Sequence, residues 1–167
     1  MPSTYAPIAT TTLGSNTASV TFSSISGSYT DLVLIANFVG FTNTAAEAVS
    51  VRLNGDTGSN YSATYLRGNG TSALSSRATN DNRMVVGAAA IGTNTSAAMN
   101  ILQFMNYSNT TTYKTVISRY SQASLQAESD VGLWRNTAAI TSIEFGTYGT
   151  NLMLTGSVIT LYGIQAA

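Results

Sequence analysis

The chain is 167 residues long, carries seven basic and seven acidic side chains, and contains neither histidine nor cysteine. Scattered, balanced charge offers no field to draw in nucleic acid or an anionic membrane surface. The lack of imidazole removes the usual general base of Ser or Cys nucleophilic catalysis and the commonest transition-metal ligand, and the lack of thiol removes thiolate chemistry and any disulfide framework.

What remains is a length suited to one domain and a surface that is polar without being charged, from 25 Thr, 21 Ser and 14 Asn. Near-zero net charge favours association over dispersal. The opening Met-Pro-Ser-Thr-Tyr has neither a basic nor an apolar leader region, so a mature N-terminus is expected. The longest near-apolar segment, Leu32 to Phe41, is about half of what a bilayer-crossing helix needs, and it reads as a buried strand.

Residues 8–13 and 17–25 read as the first strands, with Gly14-Ser15-Asn16 as the turn. The stretch 1–12, with Pro2 and Pro7 resisting helix and Tyr5 and Ile8 as anchors, is expected to act as an extended arm. Such an arm adds to a neighbour's sheet edge, and its deletion leaves the fold of a single domain over 13–167 intact. Residues 30–39, with Leu32, Val33, Leu34 and Ile35 in succession, suit a central strand buried on both faces. Val49, Val51 and Leu53 alternate with polar neighbours up to the Asn54-Gly55 step, which tolerates the positive φ of a tight turn. Tyr61, Ala63 and Tyr65 share one face of a strand over 60–67, and 68–82 reads as a long polar loop. Further strands are expected at 83–88, 99–105, 113–120, 140–145 and 158–164, with 123–128 as the single candidate for a helical turn. The sum is an all-β, antiparallel sandwich of roughly nine to eleven strands, jelly-roll-like by analogy.

Few residues invite chemistry. Glu128 and Asp130 are spaced to fall on one side of a strand, where a glycosidase could place an acid and a base, but solvated or arginine-paired carboxylates fit the same spacing better. Asp56, with Asp81, has oxygen ligands for a hard cation, yet an Asx-turn cap accounts for Asp56 more simply. Asn-x-Ser/Thr triplets at Asn60, Asn69, Asn94, Asn106 and Asn109 arise by chance in such a composition. Trp134 beside Arg135 is either a core tryptophan or an interface anchor. No catalytic residue, cofactor or metal is expected, and the interface candidates are Tyr5, Pro7, Ile8, Trp134 and Arg135.

Several phrases taken in order, Ala18 to Ile25, Leu53 to Tyr61, Gly132 to Arg135 with Ala139 to Ile143, and the ending Leu161 to Ile164, resemble small virion proteins of tailed bacteriophages, including those of cyanobacteria. The resemblance spans nearly the whole chain. It implies a β-sandwich that decorates capsids or forms part of tail fibres, with no catalytic residues to carry over. The expectation is a capsid decoration, or cement, protein on the outer surface of the virion. Its expected partners are copies of itself in a homotrimer and the major capsid protein, with no nucleic acid and no membrane. The alternative is a tail-fibre or receptor-binding module whose 68–82 loop touches host glycan.

Overall fold

The computed structural model of the protein describes residues 4–42, 47–90 and 97–165. Twelve strands are formed: β1 (Tyr5–Thr12), β2 (Ser19–Phe22), β3 (Asp31–Phe38), β4 (Glu47–Leu53), β5 (Tyr61–Gly68), β6 (Ala73–Asp81), β7 (Met84–Ala90), β8 (Ala98–Phe104), β9 (Lys114–Gln122), β10 (Gln126–Trp134), β11 (Ile143–Thr147) and β12 (Val158–Ile164). Among the described residues there is no helix. All pairings are antiparallel, in an eight-stranded sheet ordered β1-β12-β3-β8-β9-β10-β5-β6 and a four-stranded sheet ordered β2-β11-β4-β7. The first strand pairs with the last and the second with the next to last, the nested pairing of a jelly-roll-like sandwich.

The core lies between the sheets, where period-2 alternation delivers one face of each strand. Leu32, Leu34, Ala36 and Phe38 of β3 meet Val49, Val51 and Leu53 of β4 and Phe145 of β11 in one apolar cluster. Phe38 stacks on Phe145 across the sheets at 5.7 Å. The Asn54-Gly55 step makes the expected turn, with φ of 53° and 67° and Asp56 N–H donating to the Leu53 carbonyl at 3.0 Å. Tyr61, Ala63 and Tyr65 do share a face, opposite Trp134, Gly132 and Asp130 of β10.

Two expectations about the strands are corrected, and the one helical candidate is settled. Strands number twelve because β6 and β10 were hidden: β6 is exposed on both faces and so has no apolar period, while β10 turns Glu128, Asp130 and Gly132 inward. The supposed 68–82 loop is a hairpin whose turn is only Asn69 to Ser72, closed by Asn69 Oδ1 accepting from the Thr71 and Ser72 N–H groups. Residues 123–125 are the turn of the β9–β10 hairpin rather than helix.

The stretch expected as a free arm is extended, but it pairs along β12 of its own chain, and Ile8 packs against the core. Pro7, which brings no N–H, and a bulge between Pro7 and Ala9 blunt this edge against further strands. Pro2 and Asn94 lie outside the described residues.

Candidate functional site

A buried polar cluster lies between the sheets, with Asp130 at its centre. Glu128 and Asp130 both point inward from β10, as their spacing predicts, and they are buried rather than solvated. Asp130 is 3% exposed; its Oδ2 stands 2.6 Å from Ser118 Oγ on β9, and its Oδ1 has no hydrogen-bond partner. Ser118 Oγ is also 3.0 Å from the Val86 carbonyl, to which Asn100 Nδ2 donates at 2.7 Å. One hydroxyl has one hydrogen, so both Ser118 contacts are hydrogen bonds only when the Asp130 carboxyl supplies the second proton. Burial, and next the neighbouring Glu128 carboxyl, push Asp130 up to about 8, against a smaller downward pull from Ser118.

Val86 belongs to β7, the edge of the small sheet, while Asn100, Ser118 and Asp130 belong to the large one. The cluster is therefore a polar staple between sheets, satisfying an edge carbonyl that would otherwise be buried unpaired. Glu128 accepts from Gln126 at 3.1 Å.

The remaining sequence candidates separate. Trp134 is 1% exposed, stacks on Tyr61 at 6.4 Å and donates from Nε1 to Asp56 Oδ2 at 2.7 Å, so it is a core residue and not an interface anchor. Its neighbour Arg135 is half-buried, donating to the Ser59 carbonyl at 2.6 Å and to Asn80 Oδ1 at 2.9 Å. Asp56 forms the expected Asx-turn through Gly58 N–H. Burial pushes Asp56 up, but the hydrogen bonds from Trp134, Asn60 and Gly58 outweigh it and hold the carboxyl below its ordinary range. Asp81 instead accepts from Tyr148 OH at 3.0 Å, so the two aspartates serve different loops. Among the described residues no three His, Cys, Asp or Glu side chains gather as metal ligands. Tyr5 is exposed with its ring edge-on to Tyr162 at 6.1 Å, and Pro7 is exposed beside it.

The surface missed by the sequence reading is the outer face of the large sheet. Register lays its side chains in rows across the strands. One row runs Val33, Gln103, Ile117, Val131, Thr64, Arg77. The next is Ile35, Ile101, Arg119, Ser129, Leu66, Ser75, and the third Asn37, Met99, Ser121, Ala127, Gly68, Ala73. Leu66, Met99, Ile117, Val131 and Tyr5 are all large apolar residues left exposed here, Leu66 at 58%. The second and third rows enclose a shallow trough of about 560 Å³. The small sheet's outer face is different: its charges, Arg52 and Glu144, oppose each other across β4 and β11 and pair at 3.1 Å. The exposed apolar residues of this face come from different strands, so only the pairing register brings them together.

No protein-family model matches the sequence, and no characterised protein matches it. Among solved structures, the chain is similar to the galectin LEC-6 of Caenorhabditis elegans, at 9% identity over 94% of this chain and 96% of that one, with a TM-score of 0.39. It is also similar to an exo-inulinase from Aspergillus awamori, at 9% identity over 96% of this chain but 29% of that one, with a TM-score of 0.43. A scytalido-glutamic peptidase is matched at 10% identity over 87% of this chain and 75% of that one, with a TM-score of 0.34. No functional residue is carried over from them.

Proposed function

We propose that the protein is a structural component of a phage particle, a capsid-decorating module that binds the major capsid protein through the outer face of its eight-stranded sheet. One observation carries this reading: Leu66, Met99, Ile117 and Val131 are left exposed on the outer face of a sheet whose other side already packs the core. The resemblance to small virion proteins supplies the setting, and the homotrimer is the assembly that a three-fold position on a shell would accept. The structural reading of the interior carboxyl pair is supported by the burial of both groups and by the engagement of Asp130 with Ser118.

Decoration implies many modest contacts repeated over a lattice, each stabilising the shell by linkage. Copy number in purified particles, from quantitative mass spectrometry against the major capsid protein, is expected in the hundreds. A few dozen copies would assign the chain to a tail fibre instead. Leu66→Ser with Val131→Ser should abolish capsid binding while leaving the melting temperature within a few degrees, since both side chains are exposed. Undiminished binding by that double variant would remove this face from the contact.

A further inference from the structure

The chain is neutral by count but not by availability. All seven carboxylates are hydrogen-bonded within the fold: Asp31 to Asn106 N–H, Glu47 to Gly149 N–H and Asn151, Asp56 to Trp134, Asp81 to Tyr148, Glu128 to Gln126, Asp130 to Ser118, and Glu144 to Arg52. Among the cations, Lys114 donates to the Thr112 and Thr137 carbonyls, Arg83 to the Thr147 carbonyl, and Arg52 and Arg135 are engaged as described. Among the described residues, Arg67, Arg77 and Arg119 have no hydrogen-bond or ion-pair partner, and all three stand on the large sheet. Arg119 and Arg77 lie on its outer face, where the rows from β8 to β6 contain no acidic side chain.

We propose that the trough beside Arg119 receives an acidic segment of the partner protein, one apolar side chain seated in the trough and an adjacent carboxylate paired with the Arg119 guanidinium. The inference rests on the outer face being the docking surface. The trough is lined by the small residues Ser121, Ala127, Gly68 and Ala73 beside the larger Leu66 and Met99, and the buried Glu128 borders it from the inner side of β10. An apolar side chain in that space buries area that water now covers. An apolar partner alone, however, would desolvate Arg119 without a counter-ion, an unfavourable step that a carboxylate removes by forming a forked, charge-assisted pair. A phosphate backbone would match the charge but bring nothing to fill the trough, and a neutral saccharide could hydrogen-bond to Arg119, Ser121 and Ser129 but would bring no counter-charge to the guanidinium.

The probe is a capped hexapeptide, Gly-Gly-Leu-Asp-Gly-Gly, titrated into the full chain while backbone amide shifts of Gly68, Ser121 and Ala127 are followed by NMR. Saturable shifts are expected at those amides. Binding should weaken about fivefold when the peptide's Asp becomes Asn, or when the protein carries Arg119→Gln, the effect of one exposed ion pair. Ala127→Trp, which fills the trough from an exposed position, should abolish binding without changing the melting temperature. Absence of shifts at the trough, equal affinity for the Asp and Asn peptides, or preferential shifts with an oligosaccharide or a short oligonucleotide would overturn the proposal.

Capsid binding separates its failure from that of the docking reading. If Arg119→Gln and Ala127→Trp bind capsids like wild type while Leu66→Ser with Val131→Ser does not, the docking face stands and the trough proposal fails. If particles carry no copies of the chain yet the peptide binds as described, the trough stands and the virion assignment fails.

Discussion

Ionising Asp130 should weaken the fold, and the lack of histidine makes that effect measurable in isolation. The carboxyl sits at an ordinary 3.8 when the chain is unfolded and is pushed up to about 8 in the fold, by burial first and then by Glu128. Between those values the folded state holds one proton more than the unfolded state, so stability falls as pH rises through the window and levels off above about 8. A tenfold change in acidity is worth about 1.4 kcal/mol, which sets a ceiling of about 5–6 kcal/mol. Relaxation and water entry around a buried ion reduce that to roughly 2–4 kcal/mol. For a domain of this size the corresponding fall in melting temperature is roughly 5–15 °C between pH 5 and pH 8.5.

Few side chains can imitate such a slope. There is no imidazole to titrate in the window. Lys114 is held below its ordinary value by burial, and its deprotonation would raise stability with pH, the opposite sign. The groups facing Asp130 on its own side of the sheet are Glu128, Ser118, Tyr120, Tyr65 and, further along β5, Arg67, together with the Val86 carbonyl from the small sheet. Urea unfolding followed by tryptophan fluorescence at half-unit steps from pH 5 to 8.5 gives the slope directly. In Asp130→Asn the amide N–H replaces the acid proton to Ser118, so the slope should vanish and the variant should exceed wild type at pH 8.5 by roughly the same 2–4 kcal/mol. A flat wild-type profile, or a slope that survives in Asp130→Asn, would refute the assignment of a protonated staple.

Deleting residues 2–12 should destabilise the domain, because β1 covers the β12 edge and Ile8 packs on the core; a melting temperature lowered by more than about 5 °C is expected, and an unchanged one would restore the free-arm reading. Trp134→Phe loses the Nε1–H donor to Asp56 and part of the stack on Tyr61, a cost of about 2–3 kcal/mol in urea unfolding. The same change should soften the acid limb: Asp56 contributes stability above its unfolded pKa that is lost as pH falls through its lowered folded value, and without Trp134 the loss begins at higher pH. Gly146→Ala would drive a methyl into the backbone carbonyl of Ala18, whereas Gly132→Ala first meets the flexible Met84 side chain. The first should fail to fold and the second should fold with a cost of about 1–3 kcal/mol, as read by expression and thermal melts.

The central strand and the Asn54-Gly55 turn were legible because their signals are local: four consecutive apolar residues in β3, and an Asn-Gly step that alone tolerates two positive φ values. β10 was illegible for an equally physical reason. Its buried face carries Glu128 and Asp130, and what makes them tolerable inside is Ser118, Gln126 and the Val86 carbonyl, contacts fixed by strand pairing and by packing of the small sheet. Trp134 likewise could not be assigned to core or surface from its neighbours, since the carboxylate that satisfies its indole N–H is 78 residues away. The exposed apolar face was beyond reach altogether, being assembled from one exposed apolar residue on each of several strands.

Composition alone suggested a molecule without an electrostatic face, and the fold changes that conclusion. Without cysteine or histidine, the chain uses its carboxylates as fasteners: Glu47 gathers the N–H of Gly149 and the amide of Asn151, Asp56 anchors the Trp134 ring, and Asp130 closes the sheets. Asparagines do the same without charge, as where Asn54 Oδ1 accepts from Thr141 and Ser142 while its amide donates to the Ala139 carbonyl at 2.7 Å. Once every carboxylate is committed to a partner within the fold, the arginines left over need not be balanced where they stand. On the large sheet they are not, so a chain of zero net charge presents a cationic, apolar face on one side and a paired, polar face on the other. That asymmetry orients the molecule on an acidic partner: the small-sheet side, with its ion pair already made, has little to gain from such a contact, while the Arg119 side has an uncompensated charge and uncovered apolar area to contribute together.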